Sequence, residues 1–228
     1  MRKSLPLILE RMIPMPLVNT TEMFKKAYEG GYAIGAFNVD NVDIMKAVLR
    51  AAENKKAPVI IAVSSGALKF IGENYIRQVI DSAMKEITVP VALHLDHGSY
   101  EGALKVIEAG FSSVMFDGSH YPIEENIAKT KAYVQRKGNE LLIEGACDEI
   151  VDATGEARCE ITDADKCAHY MAETGVDVVV ANLGTEHRAS GQDLHYYSDA
   201  AKAIKAKIVE KDSVEILISD SSLCFSNT

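Results

Sequence analysis

VPVALHLDHGSYEGALKVIEAGFSSVMFDGS, Val89 to Ser119, is the stretch whose reading decides the fold. Its two apolar runs, VPVALHLDH and SSVMFDGS, read as strands, and a stretch of helical character separates them. Strand, helix and strand within about thirty residues make one βαβ unit. The two strands of such a unit run parallel, because the crossover helix returns the chain to the same end of the sheet.

The unit repeats in both directions from there. YAIGAFNV, PVIIAVSS, ELLIEG, VDVVVANLG and VEILIS bring the strand candidates to seven. Each is apolar for most of its length, as expected of a strand covered on both faces. Helix signals fill the intervals. Asn41 can cap a helix whose Ile44, Ala47, Val48 and Ala51 share a face, with Pro58 where the next strand begins. Thr162 and Asp165 resemble a capping pair ahead of a helix closed by Gly175, and Ser198 stands in the same way before DAAKAIKAKI. The chain is therefore α/β with a parallel sheet, either open or closed into a barrel.

The placement of polar residues separates those two. No GxGxxG or GxxxxGK[ST] follows a strand, so the nucleotide fingerprints of an open doubly wound sheet are missing. Asn38, Ser64, Asp96 with His97, Asp117, Glu144 and His187 stand instead at or beyond the C-terminal ends of strands. In a barrel those ends form one rim, which favours a (β/α)8 TIM barrel. Residues 1–14 read as an N-terminal extension and 15–228 as a single domain, with no linker or low-complexity tract between them.

Composition excludes several function classes. The 228 residues, 47% hydrophobic and 25% charged, can bury a sizeable core. A formal net charge of −9 repels phosphate backbones and anionic lipid, so neither nucleic acid nor a membrane surface is an expected partner. Cys147, Cys159, Cys167 and Cys224 form no CxxC pair and suit a reducing cytoplasm. The opening MRKSLPLILERMIPMP is broken by Glu10 and Arg11, and it reads as neither a signal peptide nor a membrane span.

Chemistry concentrates in HLDHG, His94 to Gly98. Alternation along a strand puts His94 and Asp96 on one face and Leu95 and His97 on the other, although a strand end can twist both into a loop. An adjacent Asp and His can divide their work, the imidazole holding a metal such as zinc and the carboxylate moving protons. The same residues also read as hydrogen-bonded structural groups. In NLGTEH, Asn182 to His187, Gly184 allows close approach of a phosphate and His187 is a second ligand candidate. A lone loop histidine reads more often as a solvated surface side chain.

Taken together, GAFN (Gly35 to Asn38), HLDHG, DGSHYPIEEN (Asp117 to Asn126) and GTEH (Gly184 to His187) resemble the motifs of the class II, zinc-dependent ketose-bisphosphate aldolases, over about Leu17 to Ile208. The resemblance implies a (β/α)8 barrel with Zn²⁺ at its C-terminal rim. Asp96 matches the catalytic aspartate, and His97 and His187 match two of three zinc ligands. Asn38, Ser64 and Gly184 match substrate-binding positions, although strand-end capping suits Asn38 and Ser64 as well. Asp117 and Glu144 match accessory metal or site positions. The implied reaction is cleavage of a ketose 1,6-bisphosphate, fructose before tagatose, to dihydroxyacetone phosphate and glyceraldehyde 3-phosphate. The implied setting is a cytoplasmic dimer or tetramer.

The sequence also departs from that pattern. Ile218 stands at the third ligand position, where Asp220 and His195 are the nearby substitutes. Arg188 replaces a glycine after His187, and IEGACDEIVDATGE keeps Glu144 but has Ala146 in place of a second glutamate. Glu149, Asp152 and Glu156 are the candidates for a loop base. The chain reads as a C-terminally truncated barrel of about seven strands, lacking its last βα unit and leaving two unpaired edges. A catalytically impaired fragment or an unrelated metal-binding barrel are the competing readings.

Overall fold

A computed structural model describes residues 17–18, 20–137, 141–149, 160–184, 196–211 and 217–219. Its strands are β1 (Gly35–Asn38), β2 (Val59–Ser64), β3 (Val91–Gly98), β4 (Ser113–Phe116), β5 (Leu142–Ala146), β6 (Val178–Val180) and β7 (Leu217–Ser219). Around them lie α1 (Thr20–Gly30), α2 (Val42–Lys55), α3 (Ser65–Ile71), α4 (Glu73–Ala83), α5 (Tyr100–Glu108), α6 (Ile123–Lys137), α7 (Ala164–Thr174) and α8 (Ser198–Lys211). All seven expected strands form, each parallel to the next, in the spatial order β1 to β7. That is the sequential order of a TIM-type barrel, left open. Among the described residues β1 pairs only with β2, and β7 only with β6.

Strand alternation sorts the core into two sides. Ile61, Val63, Leu93, Leu95, Val114, Phe116, Ile143 and Val179 point outward into one cluster with Met45, Leu49, Ile76, Ile80, Val106, Tyr133, Tyr170 and Ile204 of the helices. Each such buried side chain contributes roughly 1.5–3 kcal/mol relative to exposure. On the inner side Ile60 and Ala92 pack with Met23 of α1, and Phe24 and Ile34 press against them, so α1 plugs the N-terminal end of the sheet. Met115, Ala146 and Val180 form a second inner cluster.

The helix signals hold with three one-residue corrections, one of them at Ser198, which is the first residue of α8 and not the residue before it. Asn41 caps α2, its Oδ1 accepting from the Ile44 N–H at 2.9 Å. The buried stripe of α2 is nevertheless Met45, Leu49 and Ala52, not the face led by Ile44, which is 40% exposed. Met45 and Leu49 bury more apolar surface than the alanines of the expected face, and packing sets the rotation. In α7 the cap is Asp163, which accepts from the Lys166 N–H at 2.8 Å. Thr162 is buried instead, and its Oγ1 accepts from the Asn182 N–H at 2.8 Å beside the end of β6. Gly175 ends the helix in the left-handed region, φ 71°.

Glu53, near the end of α2, ties that helix to the loop entering β3. Its carboxylate accepts from the Thr88 N–H at 2.8 Å, the Thr88 hydroxyl at 2.6 Å and the Val89 N–H at 3.3 Å, and it pairs with Lys56. The Lys56 hydrogen bond first, and the Thr88 bonds next, hold its pKa down from 4.5 to about 2. A depressed carboxylate contributes stability that is present above its unfolded pKa and is lost as pH falls through its folded one. Glu53→Gln is therefore expected to lower the urea midpoint at neutral pH, with the deficit shrinking between pH 4.5 and about 2. A deficit independent of pH would assign Glu53 a packing role only.

Candidate active site

The C-terminal ends of β1 to β5 carry the polar residues, and register decides which of them meet. Asn38 pairs with Ala62, Ala62 with His94, and Ser64 with Asp96. Glu144 pairs with Met115 of the inner cluster. Asn38, Ser64, Asp96 and Glu144 thus all share the inner face, as expected from alternation.

His97 does not follow alternation, which would send it outward with Leu95. The β3–β4 register shifts between Leu95 and Gly98, and His97 takes φ 51°, a left-handed conformation uncommon outside glycine. Together they turn its ring toward the end of β4, where Nδ1 meets Asp117 Oδ2 at 2.7 Å. Its Nε2 lies 3.8 Å from Asp96 Oδ1. The Ser65 hydroxyl donates to the His97 carbonyl at 2.5 Å and secures the turned backbone.

Asn38 Nδ2 donates to Asp96 Oδ2 at 2.7 Å. Asp117 Oδ1 accepts from the Ser119 N–H at 3.1 Å and its hydroxyl at 2.6 Å. A polar line therefore runs across the C-terminal ends of β1 to β4, from Asn38 through Asp96, His97 and Asp117 to Ser119. Burial disfavours the imidazolium of His97, but the Asp117 hydrogen bond and the charges of Asp96, Asp117 and Glu144 outweigh it and raise the pKa. Burial likewise works against the Asp117 carboxylate, yet hydrogen bonds from His97 and Ser119 bring it down to about 2. Deeper on the inner face, His94 Nδ1 meets the Ser113 hydroxyl at 2.9 Å, and its Nε2 lies 3.6 Å from Glu144 Oε2. Burial pushes the His94 pKa down, opposed by Glu144 and Asp96.

The donor set at His97 fits a metal ligand. A carboxylate on Nδ1 fixes the tautomer that presents a lone pair at Nε2, the outer-shell arrangement typical of zinc-binding histidines. The acidic groups that favour a proton on this ring also favour a cation in its place. Among the described residues no group of three His, Cys, Asp or Glu side chains is arranged to hold a metal. His187 lies outside the described residues, as do Arg188, His195, Asp220, Asp152 and Glu156. The strand expected to carry a third histidine is present as β7, with Ile218 in register with Val179 and no histidine between Leu217 and Ser219.

The remaining candidates fall in several places. The Ser64 hydroxyl accepts from the Ala67 N–H at 3.1 Å and caps α3, the structural use open to it in the sequence. Gly184 has φ 91°, which only glycine adopts easily. Glu149 is held through its backbone carbonyl, which accepts from Asn182 Nδ2 at 3.2 Å. Sequence reasoning passed over Ser65, Ser113 and Ser119. Ser119 was within reach, because Asp-Gly-Ser is a stretch in which Asp can accept from the N–H two residues on.

The family profile described as fructose-bisphosphate aldolase class-II matches residues 18–218. A fructose-bisphosphate aldolase of Streptococcus pyogenes serotype M1 is 43% identical over 183 residues, covering 76% of this chain and 61% of that protein. A probable fructose-bisphosphate aldolase of Bacillus subtilis (strain 168) is 41% identical over 184 residues, covering 64% of its own length. The chain thus spans less than two thirds of these relatives. Among solved structures, the YdjI aldolase from Escherichia coli K12 superposes with a TM-score of 0.72 at 27% identity, over 89% of this chain and 71% of that one. A putative fructose-1,6-biphosphate aldolase from Coccidioides immitis gives 0.78 at 23% identity over 91% and 75%, a likeness of fold. The fold is a partial TIM-type barrel of the kind these aldolase structures share. The chain belongs to the class II fructose-bisphosphate aldolase family.

Proposed function

We propose that this rim is built for reversible aldol cleavage of a ketose 1,6-bisphosphate, fructose in preference to tagatose, giving dihydroxyacetone phosphate and glyceraldehyde 3-phosphate. The observation that supports it is the Asn38–Asp96–His97–Asp117 line, which sets a carboxylate beside an imidazole oriented for a metal. Asp96 exchanges a proton with the substrate oxygen at the carbon–carbon bond being made or broken. Asn38 holds one oxygen of that carboxylate and leaves the other facing His97. Asp117 orients the His97 ring, and Gly184 lets backbone approach a substrate phosphate. His97 and His187 would hold zinc, which when bound polarises the ketone and stabilises the enediolate charge.

A second reading, an impaired aldolase, is favoured by one observation, the absence of a histidine among the described residues of β7. Metal analysis and a coupled cleavage assay of the zinc-supplemented protein decide between them. About one zinc per chain with chelator-sensitive cleavage supports the first reading. Folded protein without zinc or cleavage supports the second. Among the described residues no helix is long and apolar enough to cross a membrane. Membership of the family supports a cytoplasmic single-domain enzyme acting on small phosphorylated sugars. We place it as a homodimer or tetramer, which light scattering measures directly.

Asn38 gives a graded test. A hydrogen bond to a charged group is worth roughly 1.5–3 kcal/mol, so Asn38→Ala is expected to lower turnover by about tenfold or more. Zinc content should stay unchanged, because among the described residues the Asn38 amide bonds to the Asp96 carboxylate. Lost zinc with intact turnover per bound metal would move Asn38 out of the proton-transfer machinery.

A further inference from the structure

Below the rim, the inner face holds a second imidazole that the aldol chemistry leaves unused. His94 is buried and pairs across β3 and β4 with Ser113, which is also buried. Its Nδ1 meets the Ser113 hydroxyl at 2.9 Å, and its Nε2 lies 3.6 Å from Glu144 Oε2 on β5. The Glu144 side chain is itself only 13% exposed. Register sets the heights of these groups. Ser113 pairs with Leu142, so Glu144 stands two residues further along its strand than the level of His94. Glu144 in turn pairs with Met115, two residues before Asp117. Its carboxylate therefore lies on the inner face above His94 and beneath the contact of His97 with Asp117.

We propose that His94, anchored by Ser113, is a positioning residue that holds the Glu144 carboxylate under His97 as a fixed negative charge. This rests on the reading of the rim as a zinc site. A carboxylate taken out of water needs a polar partner, and Nε2 of His94 is the group that faces it. In a neutral ring the carboxylate draws the hydrogen to Nε2 and leaves Nδ1 to accept from the Ser113 hydroxyl. In a charged ring both nitrogens carry hydrogen, so Nε2–H faces Glu144 in either form. At 3.6 Å the contact is an electrostatic one and longer than a hydrogen bond. His94 lies below the rim, and it acts through Glu144 rather than on a substrate. A negative charge fixed there favours a cation at His97, and burial leaves that attraction weakly screened.

The experiment has two arms, both on the full chain. In metal-free protein, heteronuclear NMR of the histidine rings, with His94 assigned through His94→Gln, is expected to show hydrogen on Nε2. A bare Nε2 would overturn the proposal. In the second arm a chromogenic chelator competes for zinc. His94→Phe and Glu144→Gln should each weaken zinc binding about tenfold, the lower end of the range for outer-shell partners. Their double variant should lose no more than either single one, because both remove the same placed charge. His94→Gln keeps an amide that can donate to Glu144 and should recover most of the affinity. Ser113→Ala deletes one hydroxyl and takes the place of His94→Phe in the cycle should that variant not fold. Additive losses, no recovery in His94→Gln, or a loss in His94→Phe with Glu144→Gln unaffected would each overturn the proposal, since a merely structural His94 acts without Glu144. If the parent chain binds no zinc, the reading of the rim as a metal site falls, and the NMR arm alone decides the contact.

Discussion

Asp96→Asn is expected to lower cleavage of fructose 1,6-bisphosphate by at least about a hundredfold, the contribution typical of a positioned acid/base group. The substitution keeps shape and a partner for Asn38, and Asp96 sits at a strand end that is about a quarter exposed. Core packing should therefore be nearly untouched, and the thermal midpoint of the variant should stay close to that of the parent. A steady-state assay at saturating substrate and zinc, with a melting curve on the same sample, measures both quantities. Unchanged turnover would remove Asp96 from the chemistry. A large fall in the melting temperature would make it a structural group of the rim.

The second large effect concerns metal. His97→Ala and His187→Ala are each expected to weaken zinc binding by at least about a hundredfold, because a small set of ligands cannot lose one and keep its geometry. Competition with a chromogenic chelator reads this without reference to catalysis. Asp117→Asn should fall between, about 10- to 100-fold weaker, the range for outer-shell partners that orient a ligating imidazole. Its bond to His97 Nδ1 is the short one at 2.7 Å. If His97→Ala binds zinc normally while His187→Ala does not, the two histidines do not share an ion.

Much of the architecture was legible because β-strands of a parallel sheet announce themselves as apolar runs, and all seven appear in the order they were read. Capping was legible to within one residue. Thr162 and Asp163 are both competent caps, and only burial of Thr162 against the loop after β6 selects Asp163. The α2 face was off by one residue because two neighbouring stripes were both partly apolar: Ile44, Ala47 and Ala51 are exposed, while Val48 packs against the core beside the buried Met45 and Leu49. In the site, period-two alternation placed His94 and Asp96 correctly on one face, and the strand-end position of Asn38, Ser64 and Glu144 brought them to the same side of the sheet. Alternation failed for His97, whose position depends on a register shift and a left-handed backbone that no local pattern encodes. Of the serine hydroxyls that hold the site in place, Ser119 follows an aspartate at a turn spacing, whereas Ser65 and Ser113 are silent in sequence, since serines are common and only distance distinguishes them.

The left-handed backbone at His97 also bears on how this protein should fail. A non-glycine residue in that region is disfavoured by roughly 1–2 kcal/mol, and it persists only while its surroundings hold it there. Here the hold comes from the Ser65 hydroxyl on its carbonyl and Asp117 on its ring, neither of them part of the apolar core. On heating, the order of failure should run outward from this residue, with the rim relaxing while the outer packing of helices on the sheet is still intact. There should be a temperature interval in which the chain remains folded by circular dichroism but has lost the orientation of its imidazole, and in that interval the protein is a scaffold without a site.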